Sequence, residues 1–202
     1  MIAQIAAPLF YASIAFLAVT ASRAVCAGVT PDEDGPPAGK PPYVALLAAS
    51  ALLGGLLMYW HATPLQLGIA AIVLFALVAC WCSDALCGMV PDLFTLVPLA
   101  ALLFFSFAQR DWGIVFSALI AFVPFALAAF FSRGRGMGWG DVKLVALSGA
   151  ALGTPLVVFA LAAACALAAV IHALGRSRSA PIAFAPYIAA ATGIALPLGL
   201  AR

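Results

Sequence analysis

Charge is the scarcest thing in this sequence. Nine Lys or Arg and seven Asp or Glu are spread over 202 residues, 8% of the chain, while 66% is hydrophobic. Soluble domains carry about a quarter charged residues, so this chain cannot build the polar shell that a water-soluble fold of its length requires. The opening "MIAQIAAPLFYASIAFLAVTASR" lacks the basic stretch that precedes the apolar run of a cleaved signal, and it reads as a retained first span. Five cysteines (Cys26, Cys80, Cys82, Cys87, Cys165) contain no CxxC pair. Cys80 and Cys82 stand about 200° apart on a regular helix and cannot face one metal from it. The cysteines read as small buried hydrophobes. No internal repeat and no soluble domain is visible, and neither nucleic acid nor a cofactor is an expected partner. What remains is an all-α, polytopic integral membrane protein, a single transmembrane helical domain over 1–202 with membrane lipid as its surroundings.

Apolar runs separated by polar or Pro/Gly breaks predict about eight spans, near 3–22, 43–60, 66–83, 93–108, 113–131, 142–153, 155–174 and 182–200. Residues 142–174 have the length of one overlong helix, but "GTP" at Gly153–Pro155 predicts a break. The sixth span is then short, about 18 Å at 1.5 Å per residue. The bases orient the chain. With the Asp84 and Asp141 loops in the cytoplasm, Arg23, Lys40, Arg133, Arg135, Lys143, Arg176 and Arg178 lie inside, against Arg110 and Arg202 outside. That asymmetry is what the positive-inside rule asks for, and it puts both termini outside the cytoplasm. The 24–42 segment, "AVCAGVTPDEDGPPAGKPP", is rich in Pro and Gly and reads as a flexible, solvated cytoplasmic loop.

So few acids can be taken one by one. Asp32, Glu33 and Asp34 belong to that solvated loop. Asp111, in "QRDWG", suits a helix N-cap beside an interfacial Trp112, and Asp92, after Pro91, suits another. Asp84 closes the third span in "ACWCSDALCGMVPD" with no basic residue near it in sequence. An ionisable group at a membrane boundary without a local partner is a functional candidate, beside the plainer reading of a charge at a helix end. Asp141 opens a helix after Gly134, Gly136, Gly138 and Gly140. The helix dipole alone accounts for an acid there, but not for four alternating glycines, which suit a place where extended backbone comes close. Two carboxylates at one membrane face suggest an aspartyl dyad that shares a proton. One carboxylate takes a proton from water and its protonated partner donates to a scissile carbonyl. The helix dipole favours Asp141 as base and leaves Asp84 as acid.

These residues carry a resemblance. "GWGD" (Gly138, Trp139, Gly140, Asp141) followed by "VKL" resembles the G-x-G-D-[VI]-K-L motif of the type IV prepilin peptidases, GxGD-type membrane aspartyl proteases. "DALCGMVPDLFTL", with Asp84 and Pro91, resembles that family's first aspartate block. "APIAFAPYIAAATG", with Ala183-Phe184-Ala185-Pro186, resembles its P-F-[AG]-P segment. The likeness spans roughly 66–195, a prepilin-peptidase-like core. It implies removal of the short basic leader from type IV prepilins or pseudopilins, the substrates of type IV pilus and type II secretion systems. The site is then on the cytoplasmic face of the bacterial inner membrane. Asp84 and Asp141 match the catalytic pair. Gly138, Trp139, Gly140, Lys143, Pro91, Asp92, Arg133 and Arg135 become residues that shape the site or touch substrate. For the bases, topology and anionic lipid contact are the plainer reading.

One departure is plain. Larger, bifunctional members carry two CxxC pairs between their first two spans and also N-methylate the new terminus. Here that position holds the 24–42 loop and a single Cys26, so no metal site is expected and N-methylation does not follow from the resemblance. Two other classes compete. Presenilin-like intramembrane proteases put the first aspartate in a Tyr-Asp pair within a span, whereas Ser83-Asp84 is read at a span's end. A transporter or secretion-assembly subunit would use Asp84 and Asp141 as a proton or ion relay.

Overall fold

The computed structural model describes residues 2–28, 40–60, 62–132, 137–174 and 183–200. Among them are eight helices and no strand: α1 (Ile2–Ala27), α2 (Tyr43–Tyr59), α3 (Pro64–Cys87), α4 (Asp92–Gln109), α5 (Trp112–Phe131), α6 (Trp139–Leu152), α7 (Leu156–Leu174) and α8 (Ala185–Leu200). The protein is an all-helical, polytopic membrane protein. Five helices (α1, α3, α4, α5 and α7) are long and apolar enough to cross a bilayer alone. The 17-residue α2 and 16-residue α8 rise only about 25 Å, a little less than a typical hydrocarbon core. The central 29–39 part of the loop reading, with Asp32, Glu33 and Asp34, lies outside the described residues, as do Arg133, Arg135, Arg176, Arg178 and Arg202.

Local chemistry sets the helix ends. Thr63 and Gln66 form a reciprocal capping box at the start of α3, with Pro64 at its first position. Gly88 ends α3 in the left-handed region (φ 66°), its N–H donating to the Asp84 carbonyl. Asp111 caps α5 as expected, its Oδ1 accepting from the Gly113 N–H at 2.9 Å. The break in 142–174 is present as well. Gly153 (φ 70°) stops α6 and α7 restarts at Leu156, so this stretch is two helices.

Contacts between helix ends give the topology. Tyr11 Oη donates to the Leu67 carbonyl at 2.8 Å and Ser22 Oγ to the Ala79 carbonyl at 2.9 Å, so α1 and α3 run side by side in the same direction. Gln66, at the start of α3, reaches the Leu200 carbonyl at the end of α8. The helices alternate in direction. The end of α3 and the starts of α4, α6 and α8 share one face, and the start of α1 and the end of α8 lie on the other. Arg23, Lys40 and Lys143 belong to the first face and Arg110 to the second.

Two helices make the centre. From Val73 to Asp84, α3 is buried almost all round, and α6 is buried throughout from Val142 to Leu152, except Lys143. A helix apolar on every side belongs inside a bundle. At 14 residues α6 rises about 21 Å, too little to span, and its neighbours enclose it. Small residues let it sit close. A Cβ on Gly149 would stand 2.6 Å from the Ser117 carbonyl oxygen and 2.8 Å from Ala121 Cβ, both on α5. Without a hydrophobic drive between helices in lipid, such close backbone packing and interhelical hydrogen bonds hold a bundle together. Ser148 of α6 and Thr192 of α8 supply one such bond, 2.9 Å. Ser117 of α5 also holds the turn between α6 and α7, accepting from the Thr154 N–H at 2.9 Å.

Candidate functional site

Asp84 and Asp141 come from segments far apart in sequence, yet the bundle brings them together. Asp84 hangs from the last full turn of α3. The sequence reading ended the third span at residue 83 with Asp84 at its edge. The helix instead runs on to Cys87, because "ALC" continues it and only Gly88 can take the left-handed conformation that stops it. Asp84 is therefore inside the helix and 8% exposed. Asp141 lies in the first turn of α6, two residues past Trp139. The Asp84 charge acts directly on the Asp141 carboxyl, and Cys80, one turn before Asp84, lies within electrostatic reach of both.

Each carboxylate also meets a helix start. Asp141 is not the cap of α6, because Gly138 holds that position. It is the third helical residue, and the Gly138 backbone amide favours its ionised form. Asp84 meets the N–H of Ala185, the first residue of α8. Helix starts favour negative charge, and here both acids have one. The dipole preference that singled out Asp141 as base therefore applies equally to Asp84. Asp84 Oδ2 is buried and has no hydrogen-bond partner among the described residues. A buried acceptor left in that state costs on the order of 1–3 kcal/mol, and one in a native structure calls for an explanation.

The glycines divide in their tasks. Gly138 has φ −74° and ψ 147°, which any residue adopts, and a Cβ there would meet only Asp141 Oδ2 at 3.7 Å. Gly140 is different. A Cβ on it would stand 2.7 Å from Val90 Cβ and 3.3 Å from the Val90 carbonyl oxygen. The space beside Gly140 is taken by this chain's own 88–91 loop, which joins the Asp84 helix to α4. Gly134 and Gly136 lie outside the described residues.

The other sequence candidates gather round this loop. Pro91 is the residue before α4 (φ −65°, ψ 137°), so Asp92 is the first helical residue and not its cap. Proline holds the extended conformation the cap position needs, and Asp92 turns outward to Lys143 Nζ at 2.5 Å. That ion pair ties the start of α4 to α6 two residues beyond Asp141. Its partners are 62% and 28% exposed, so it contributes little stability. Trp139 is half exposed, as an interfacial aromatic is. Arg133 and Arg135 cannot be located, lying outside the described residues. Sequence reasoning missed two elements, the Ala185 amide and Val90. "AFAP" was the one signal for the first, and nothing in the local sequence marks the second.

Comparisons with known proteins bear on this arrangement. The sequence model of a family described as the type IV leader peptidase family matches residues 69–173, just over half of the chain and including both aspartates. A curated protein of Pseudomonas aeruginosa, "Prepilin leader peptidase/N-methyltransferase", is 32% identical over 169 residues, covering 78% of this chain. The chain spans 58% of that relative's length. No solved structure matches. The chain belongs to the type IV leader peptidase family.

Proposed function

We propose that this protein is an aspartyl endopeptidase that removes the short basic leader from type IV prepilins or pseudopilins, working at the cytoplasmic face of the bacterial inner membrane. Asp84 and Asp141 are its catalytic pair. The observation that carries this reading is the convergence of two acids from α3 and α6, buried Asp84 and partly buried Asp141, so close that the Asp84 charge acts on the Asp141 carboxyl. In a chain this poor in charge, drawing two carboxylates together stabilises nothing, since like charges repel. It makes sense as a place where one proton is shared.

The chemistry follows from that sharing. The ionised carboxylate takes a proton from water while the water oxygen adds to the scissile carbonyl carbon. The protonated partner donates to the carbonyl oxygen. Collapse of the tetrahedral intermediate breaks the C–N bond, and the leaving nitrogen takes up the proton. Asp84 Oδ2, without a hydrogen-bond partner among the described residues, is the natural seat for the water or the carbonyl oxygen. The peptidase core is taken as 66–195, because the Ala185 amide belongs to the site. Arg23, Lys40 and Lys143 share its face and act first as cytoplasmic markers. For Arg133 and Arg135 the plainer role stays a topological one, with anionic lipid contact.

Asp84→Asn and Asp141→Asn each keep the side chain's size and remove the carboxyl that gives up or takes up a proton. Co-expression of either variant with a prepilin is expected to leave the leader attached, read as intact precursor mass by mass spectrometry, while the protein still inserts. Near-normal processing by either variant overturns the assignment. The same spectrum reports whether the new N-terminus carries a methyl group.

A further inference from the structure

The five cysteines differ in their surroundings. Cys80 and Cys82 are fully buried in α3 and Cys165 is exposed on α7, while Cys26 and Cys87 are half-buried, in the last turns of α1 and α3. Alanines buried on both helices (Ala15 and Ala18, Ala76 and Ala79) allow α1 and α3 a close approach. Ser22 Oγ of α1 donates to the Ala79 carbonyl of α3 at 2.9 Å. One turn on, Cys26 Sγ donates to the Ser83 carbonyl at 3.9 Å. Cys87 Sγ donates to that same oxygen from within α3, at 3.1 Å. Two thiols remote in sequence therefore converge on one carbonyl oxygen, and a side-chain hydrogen bond links them to each other.

We infer that Cys26 and Cys87 are a redox-active dithiol whose closure to a disulfide clamps the end of α3 to α1 and, resting on the function proposed above, slows leader cleavage. The oxidant is a low-molecular-weight disulfide. The thiolate of one cysteine attacks it, forming a mixed disulfide and releasing one small thiol. The thiolate of the other attacks the protein sulfur of that mixed disulfide and expels the second small thiol. Two electrons pass to the small disulfide, and both thiol protons leave with its halves. In the cytoplasmic orientation proposed above, a reducing compartment keeps the pair open, as it does for sensing rather than structural disulfides. The position of the pair decides the effect. Bonded sulfurs stand closer than hydrogen-bonded thiols, so closure draws Cys87 toward α1. Gly88 follows Cys87 directly, and the 88–91 loop sets Val90 against Gly140, beside Asp141. Asp84 lies one turn before Cys87. The pull therefore acts between the two carboxylates, where about 1 Å of misplacement costs about 100-fold.

The bond and its effect are read separately. Full-length protein in detergent is incubated with oxidised glutathione, the remaining thiols are alkylated, and an unreduced chymotryptic digest is mapped by mass spectrometry. Cleavage after Trp81 and Leu86 separates Cys82 from Cys87. A peptide pair joined through Cys26 and Cys87 is expected. In parallel, cleavage of a synthetic prepilin peptide is expected to fall at least about tenfold and to recover with a dithiol reductant. Cys26→Ser and Cys87→Ser each keep a donor for the Ser83 carbonyl and leave the other thiol in place. Both are expected to cleave like the parent, with or without the oxidant. Absence of the linked pair, or a link to Cys82 instead, overturns the inference. Unchanged cleavage by the linked protein overturns it too. So does loss of cleavage on oxidation in either single variant, since a mixed disulfide would then suffice. A reduced parent that cleaves nothing refutes the proposed function, and the mass map alone then decides whether the bond forms.

Discussion

Gly140→Ala adds one carbon, and the structure says where it goes. The new Cβ would sit 2.7 Å from Val90 Cβ and 3.3 Å from the Val90 carbonyl oxygen, against about 3.5–4.0 Å for carbon atoms in comfortable contact. Both opposing atoms are fixed to backbone, so no rotamer change relieves the overlap. Either α6 or the 88–91 loop moves by roughly 1 Å. Overpacking of this kind costs about 1–3 kcal/mol, offset by up to about 1 kcal/mol of helix propensity gained over glycine. The net loss in stability is on the order of 1 kcal/mol. The effect on rate is larger. Gly140 precedes Asp141 and Val90 follows closely on Asp84, so the same shift separates the two carboxylates, and a misplacement of about 1 Å costs about 100-fold. Leader cleavage of a prepilin peptide and the apparent thermal midpoint in detergent measure both. Gly68→Ala is the matched control, because it lies at the other end of α3 from the carboxylates and a Cβ there meets nothing within 4 Å. Val90→Gly removes one of the two clashes and should restore Gly140→Ala at least fivefold of the 100-fold lost. Parent-like cleavage by Gly140→Ala, or an equal loss in Gly68→Ala, would refute the steric reasoning.

Other outcomes follow from the same geometry. Gly149→Ala drives a Cβ to 2.6 Å from the Ser117 carbonyl oxygen and is expected to lower the thermal midpoint by the equivalent of about 1–3 kcal/mol; an unchanged midpoint would mean α5 and α6 separate freely. Removing the exposed Lys143–Asp92 pair by Lys143→Ala changes stability by less than about 1 kcal/mol, and a double-mutant cycle with Asp92→Ala checks it. Thr192→Val breaks the Ser148–Thr192 bond between α6 and α8 and is expected to cost about 0.6 kcal/mol, the usual worth of such bonds in membranes; a loss several times larger would point to a wider network.

The sequence by itself settled what depends on composition and near neighbours. Too little charge for a soluble shell required a membrane fold. The break at Gly153–Pro155 was legible because a positive-φ glycine and a following proline act within a few residues. Asp84 and Asp141 stood out because acids are rare and costly at a membrane boundary. Asp111 was readable as a cap for the same local reason, while Asp92 was misread because its partner, Lys143, lies on another helix. The third helix was drawn too short, since nothing before Gly88 ends it.

Tertiary structure alone decided the rest. That Asp84 and Asp141 meet, that the Ala185 amide joins them, and that Gly140 is glycine because Val90 lies against it are all products of three helices converging at one face. Local propensity gives a helix its extent and its apolar surface. It carries no information about which remote atom will stand 2.7 Å from a given backbone position, because that distance is set by how whole helices pack.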